Sequence, residues 1–207
     1  MKEKDIKEEK YRSIPEGLKT EIQAHKEWLE LSKKQQEDQV CLKLDVRNKN
    51  LSNLDLNYPL DHARLDGCCF DGSLMGSLDG ACLAGCSLNN TCFNQSLENA
   101  NLEAVNGEEA CFAGTKCTGA NFNRATLCKA NFTCTKLSGA KFQEADLRDA
   151  DLRGADLSGA DFYLADISGA KLCLNDITME QLGQCLFTPE LKQMIQAKYQ
   201  LMTCKSN

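Results

Sequence analysis

The chain repeats itself every five residues, and this period limits its possible folds more than any other feature of the sequence. Between Ala110 and Leu172, 13 successive repeats carry a small residue and, two positions later, a large apolar one. Eleven of the 13 small positions are Ala, and twelve of the 13 large positions are Leu, Phe or Ile. A helix with one large residue in every five would rotate its apolar stripe by about 140° per repeat, so no apolar face would form. The period predicts a chain that turns a corner at each repeat and closes a coil after four corners.

The pattern from Ala145 onwards, ADLRD-ADLRG-ADLSG-ADFYL-ADISG-AK, resembles the pentapeptide-repeat family. The resemblance covers roughly residues 51–177 and is strongest over 110–177. It implies an all-β solenoid, a right-handed quadrilateral β-helix. The family's repeat is a scaffold, so the resemblance by itself specifies no activity.

Stacked coils place residues 20 positions apart above one another. Phe122, Phe142 and Phe162 are then predicted to form one inner column, with Phe112 and Phe132 on the opposite inner face. Such columns suit rungs spaced about 4.8 Å apart, and each coil contacts only its neighbours.

The register breaks near residues 74, 95 and 107. One interpretation is a tolerated deletion at a corner. The other is a bulge that presents a recognition surface, since loops on rigid scaffolds often carry function. Because Asn-Gly is a strong turn signal, a small protrusion is predicted over 105–109. Its residues are candidates for partner binding: Asn106, Gly107, Glu108 and Glu109.

Both ends of the chain leave the repeat. Open coil ends expose edges and core, so helical caps are expected. The sequence divides into an N-terminal helical cap and lead-in (1–50), the repeat region (51–177) and a C-terminal helical cap (178–207). A helix is predicted from about Pro15 to Gln36, and residues 25–29 (HKEWL) resemble a segment that precedes the repeats in many bacterial relatives.

The C-terminal residues contain two helix N-caps, Thr178 and Thr188, with Pro189 after the second. Four apolar residues beyond them lie close to one helical face: Leu191, Met194, Ile195 and Met202. They are predicted either to form a lid over the last coil or to contact a second copy, because a C-terminal helix joins two rods in some relatives. A homodimer through this helix is therefore possible.

Negative charge is concentrated in the repeats. The whole chain has a formal net charge of −6, while residues 51–177 contain 9 cationic and 17 anionic side chains. Six aspartates precede large apolar residues and are predicted to point outward as a candidate partner-binding face: Asp146, Asp151, Asp156, Asp161, Asp166 and Asp176.

Some relatives bind gyrase as mimics of duplex DNA, which makes a topoisomerase-binding protein of the quinolone-protection type an alternative function. Duplex DNA carries about one negative charge per 1.7 Å of axis, far more than this mixed surface offers. An acidic chain is also a poor candidate for binding nucleic acid directly. A solvated surface that keeps the rod in solution explains the same charges.

The 13 cysteines form no Cys-x-x-Cys pair, and neither histidine lies at zinc-ligand spacing from a pair. Cys68, Cys86 and Cys117 are predicted to face inward, as small core residues. The pair Cys82 and Cys86 is the least unfavourable candidate for a close contact. No metal, cofactor or catalytic residue is predicted.

Enzyme signatures are also missing from the sequence: it has no phosphate-binding glycine loop and no nucleophile elbow. We therefore expect a non-enzymatic protein-interaction scaffold with an unidentified protein partner. An effector delivered into a host cell is a further alternative. With no apolar leader at the start and no long apolar run, the expected location is the bacterial cytoplasm, without membrane contact.

Overall fold

Twenty-residue coils stacked in parallel make up most of the fold. The computed structural model describes residues 11–30, 44–173, 176–186 and 193. Cys111 is bridged to Asn131, and Asn131 to Asp151, so successive rungs lie 20 residues apart. A two-residue turn follows most of the large apolar residues, and four corners close each coil. The repeat therefore folds as the β-helix that its period predicts.

The small and large residues of each repeat face the interior. Phe122 is stacked on Phe142, and Phe142 on Phe162, with ring centroids 5.0 and 5.2 Å apart. A second column stacks Phe112 on Phe132 at 4.7 Å and meets the first column edge to face. Both predicted columns are thus confirmed, and the second extends down to Phe93.

Hydroxyl and thiol groups replace alanine at some inner small positions, where they donate hydrogen bonds to backbone carbonyls. Ser73 Oγ donates to Leu51 O at 2.9 Å, and Thr91 Oγ1 donates to Phe70 O at 2.7 Å. Cys68 is equally buried, and its thiol donates to Val46 O. A buried polar group with a partner costs little, so the core accepts these residues.

Three short strands form one parallel sheet in the order β1-β2-β3: β1 is Asp55–Leu56, β2 is Leu74–Met75 and β3 is Cys92–Phe93. Elsewhere the rungs are single bridges. The register pairs Leu56 with Met75 and Met75 with Phe93.

The register breaks near 74 and 95 belong to one structural feature. The next buried large residues after the three strands are Leu60, Leu78 and Leu97, so each of these corners is shorter than five residues. Because the strands are in register, the short corners stack on one edge of the rod. Gln95 Nε2 donates to Asn57 Oδ1 at 2.8 Å across this edge. We call this edge, formed by residues 57–59, 76–77 and 94–96, the set-back edge. The two register breaks belong to it and are not independent deletions.

The predicted protrusion over 105–109 is wrong. Asn106 occupies an ordinary rung between Ser87 and Thr126, and residues 108 and 109 form a regular corner. Gly107 is buried at a position that usually holds a large side chain, and a Cβ there would lie 3.1 Å from Leu127 Cδ2. The side chain of Leu127 occupies that space, so the glycine is a core-packing feature.

The ladder also extends beyond the predicted repeat at both ends. Asp45 is already bridged to Arg64, so coiling begins before residue 51. Arg12 adds a rung beside Leu54, and Leu186 adds one beside Asp166.

Two helices have described bounds, and both lie outside the coils. Helix α1, Glu16–Leu29, covers part of the predicted helix, and the rest of that prediction falls largely outside the described residues. Helix α2, Met179–Gln184, starts at the predicted cap Thr178, whose hydroxyl accepts from Gln181 N. Neither helix is long and apolar enough to span a membrane, a finding that covers the described part of the chain.

Candidate functional site

The candidate acidic face lies on the outside of the rod, and most of its carboxylates hold the backbone at corners. Asp156 Oδ1 accepts from Ser158 N at 3.1 Å, and Asp161 Oδ1 accepts from Tyr163 N at 3.0 Å. Asp146, Asp151 and Asp166 make the same contact with the residue two positions on. Such side-chain-to-backbone turns favour Asp and Asn. The recurrence of these aspartates therefore has a structural cause.

Arginines neutralise part of this face. Arg148 binds Asp146 through two nitrogen–oxygen contacts of 2.8 and 2.7 Å. Arg153 binds Asp151 in the same way, at 2.8 and 2.5 Å. Lys171 lies on the rung next to Asp151. The face is consequently a mixture of both signs, unlike the uniform charge of a nucleic-acid backbone.

The hydrogen bond from Arg148 lowers the pKa of the Asp146 carboxyl from 3.8 to about 2. A carboxyl whose pKa is lower in the folded state adds stability above its unfolded pKa and loses it as pH falls through the folded pKa. We therefore expect stability to decrease between about pH 4 and pH 2. Asp146→Asn should make this decrease shallower in urea unfolding measured across that range. Arg148→Gln should have the same effect, whereas a wild-type slope in both variants would contradict the assignment.

The cysteines divide into inner and outer groups, and Cys82 and Cys86 do not form a pair. Cys86 points inward and donates to Leu65 O, and burial raises the pKa of its thiol to about 12. Cys82 points outward and donates to Asp66 Oδ1 at 2.6 Å. Cys68 and Cys117 are buried, as predicted. No cluster of three or more metal-ligating side chains occurs among the described residues.

An apolar patch at the last coil was not predicted from the sequence. The large hydrophobic side chains that are exposed in the described chain are Tyr163, Leu164, Met179 and Leu186. Leu164 N donates to Gln184 O, and Leu186 N donates to Ala165 O, so the chain after α2 returns beside the Tyr163–Leu164 corner. We call Tyr163, Leu164 and Leu186, which these hydrogen bonds bring together, the C-terminal patch. The sequence signal was available, because Tyr-Leu stands where other corners carry polar residues, cysteine, alanine or glycine.

The remaining candidates fall into two groups. Asp176 is half-buried and precedes α2. The predicted lid or dimer residues Leu191, Met194, Ile195 and Met202 lie outside the described residues.

A family model described as pentapeptide repeats matches residues 108–143 and 140–174, with 8 copies of the repeat. Residues 108–174 of this chain are therefore pentapeptide repeats. No curated protein matches the sequence.

Solved structures of several pentapeptide-repeat proteins are similar to this chain. HetL, involved in heterocyst differentiation regulation in the cyanobacterium Nostoc sp. strain PCC 7120, is 27% identical over 63% of this chain and 70% of its own, with a TM-score of 0.41. QnrB1, a plasmid-mediated fluoroquinolone resistance protein, is 14% identical over 75% of this chain and 97% of its own, with a TM-score of 0.40. A protein of the Arabidopsis thaliana thylakoid lumen is 22% identical over 48% and 66%, with a TM-score of 0.38. At these TM-scores none of the three carries its function over to this chain.

Proposed function

We propose that this protein is a non-enzymatic scaffold that binds a partner protein through the C-terminal patch. The supporting observation is the exposure of the apolar side chain of Leu164 at a corner. This side chain is 41% exposed, and its backbone adopts a left-handed φ of 56°. That conformation costs a non-glycine residue roughly 1 kcal/mol. Glycine occupies the same corner position in many repeats, including Gly154, Gly159 and Gly169.

Other non-glycine residues, such as Glu144 and Asp149, have the same left-handed conformation at this corner position, so it is the exposed apolar side chain of Leu164, and not its backbone, that favours a role in binding. Tyr163 beside it is 53% exposed, and tyrosine is enriched among residues that dominate interface energetics. Backbone hydrogen bonds to the neighbouring rungs fix the positions of both residues, which reduces the entropy lost on binding.

The partner is expected to present an apolar contact surrounded by basic side chains. Residues 161–186 contain four acidic side chains and one basic one. Asp161 and Asp166 flank the Tyr163–Leu164 corner, and Glu180 lies on α2 beside Met179. An acidic rim around an apolar centre attracts a surface of the opposite charge and selects against acidic partners.

We infer that the scaffold is a right-handed quadrilateral rod with a helical cap at each end. The contacts of the two helices with the first and last coils support this form. Leu18 and Ile22 of α1 line a small cavity with first-coil residues such as Val46 and Leu51. His25 Nδ1 accepts from Leu44 N at 3.0 Å. At the other end, Gln181 Nε2 donates to Leu157 O and Ala160 O, both at 2.8 Å. These contacts satisfy polar groups and cover apolar ones where stacking stops.

Leu164→Gly is expected to leave the rod folded, with an unchanged or slightly higher melting temperature, and to abolish partner binding. The relief of backbone strain, about 1 kcal/mol, explains the first effect, and the loss of the exposed apolar contact explains the second. The measurement combines thermal unfolding by circular dichroism with affinity capture from a lysate of the source cell.

The matched control is Glu144→Gly, which changes the same corner position one coil earlier. The proposal requires a captured protein that is lost with Leu164→Gly, is retained with Glu144→Gly and is released by salt. Identical capture by both variants would overturn it. A mass in solution that halves in Leu164→Gly would instead show that a second copy of the chain occupies the patch.

A further inference from the structure

Two cysteines face outward on successive rungs of the coil. Cys92, in β3, is bridged in parallel to Cys111. Phe93 N donates to Cys111 O at 2.8 Å, and Cys111 N donates to Thr91 O at 2.8 Å, so hydrogen bonds fix the register on both sides of the rung. Both side chains are partly exposed. We propose that Cys92 and Cys111 form a two-coordinate site for a soft monovalent metal ion of the copper(I) class.

The spacing of the rungs fits this ligand. Neighbouring parallel strands lie about 4.8 Å apart, and equivalent side chains on them keep a similar separation. A metal held in line between two thiolates needs sulfurs two metal–sulfur bonds apart, and the zinc–thiolate bond of about 2.3 Å sets an upper guide of about 4.6 Å for that separation. A disulfide would need the Cβ atoms at about 3.8 Å and so would require the rungs to move closer. The ladder therefore fits a bridging metal better than a direct sulfur–sulfur bond.

Thiolate ligands select soft metals, which makes copper(I) the appropriate class. On binding, each thiol loses its proton to water and each sulfur donates one electron pair to the metal. No electron is transferred in this step, because the metal binds as the monovalent ion.

The other described cysteines lack this arrangement on the outer surface. Outward Cys69 and Cys82 are stacked beneath Ser87 and Asn101 respectively. The buried cysteines Cys68 and Cys86 donate their thiol protons to backbone carbonyls. Burial also raises the pKa of both thiols, which opposes the deprotonation that metal binding requires.

The test is a competition titration without oxygen, in which the full-length protein removes copper(I) from a coloured chelator. Cys92→Ser and Cys111→Ser should each remove one equivalent less than the wild type at the tightest step. The double variant should remove the same amount of copper(I) as either single variant, because the loss of one thiol already destroys a site that has two ligands. Cys69→Ser and Cys82→Ser, which also lose one outward thiol each, should match the wild type.

X-ray absorption on the protein loaded with one equivalent provides an independent measurement. The proposal expects two sulfur neighbours in the wild type and a changed sulfur shell in Cys111→Ser. It is overturned if the two single variants remove as much copper(I) as the wild type, or if the control variants lose the same equivalent. Circular dichroism of every variant verifies that the coils remain folded in each comparison.

Discussion

Replacement of Phe142 by aspartate is expected to abolish cooperative folding of the rod. Phe142 has no exposed surface and is stacked between the rings of Phe122 and Phe162. It also meets Phe132 edge to face, with ring centroids 5.9 Å apart. Loss of a buried phenylalanine alone costs about 3–5 kcal/mol, and an unpaired buried charge adds several more. The sum is comparable with the total stability of a domain, about 5–15 kcal/mol.

The measurement is thermal and urea unfolding followed by circular dichroism. Tyr163→Asp is the matched control, because it introduces the same charge in place of an aromatic residue of the next coil. The side chain of Tyr163 faces solvent, whereas that of Phe142 is buried. We expect the control to unfold cooperatively near the wild-type midpoint and Phe142→Asp to show no cooperative transition. A wild-type melting curve for Phe142→Asp would mean that the assigned inner column is wrong.

Strict repetition made this inner column predictable from the sequence. When every repeat has five residues and four repeats close a coil, a residue must stack on its counterpart 20 positions away. Phe122, Phe142 and Phe162 follow that rule over 110–172 without exception. Local sequence is enough here, because each coil contacts only its neighbours and every corner has the same length.

The same reasoning failed where the repeat is imperfect. The bridges between Leu74 and Cys92 join residues 18 apart, and those between Cys92 and Cys111 join residues 19 apart. A missing residue in the sequence does not reveal which edge of the coil has been shortened. Gly107 was likewise interpreted as a turn residue, although it leaves core space for Leu127 of the next coil.

The candidate site could be predicted only in part from the sequence, because the contacts of its side chains depend on the geometry of the corners. The aspartates drew attention because of their number, yet their carboxylates accept backbone hydrogen bonds at corners, as Asp156 does from Ser158. The contacts of Arg148 and Arg153 with their aspartates also depend on corner geometry. Tyr163 and Leu164, in contrast, depart from the repeat without breaking its period, so register breaks do not reveal them.

The set-back edge depends on close contact between backbones, and Gly76→Ala is expected to disrupt it. A Cβ at Gly76 would lie 2.6 Å from Tyr58 N and 2.8 Å from Tyr58 C, and it would also clash with the carbonyl oxygen of Tyr58. Backbone atoms cannot turn away as a flexible side chain can. We expect a loss of about 3 kcal/mol in the free energy of unfolding, at the upper end of the overpacking range.

The position of Gly76 makes this loss a test of the short corner itself. Its φ lies outside the left-handed region, so alanine adds no backbone strain there. Gly183→Ala is the matched control, since a Cβ at Gly183 in α2 meets nothing within 4 Å. The control should be neutral or more stable by up to about 1 kcal/mol, because alanine favours a helix. If both variants unfolded at the same urea concentration as the wild type, the coils would not approach each other at this edge, and the stacking of the three short corners would be wrong.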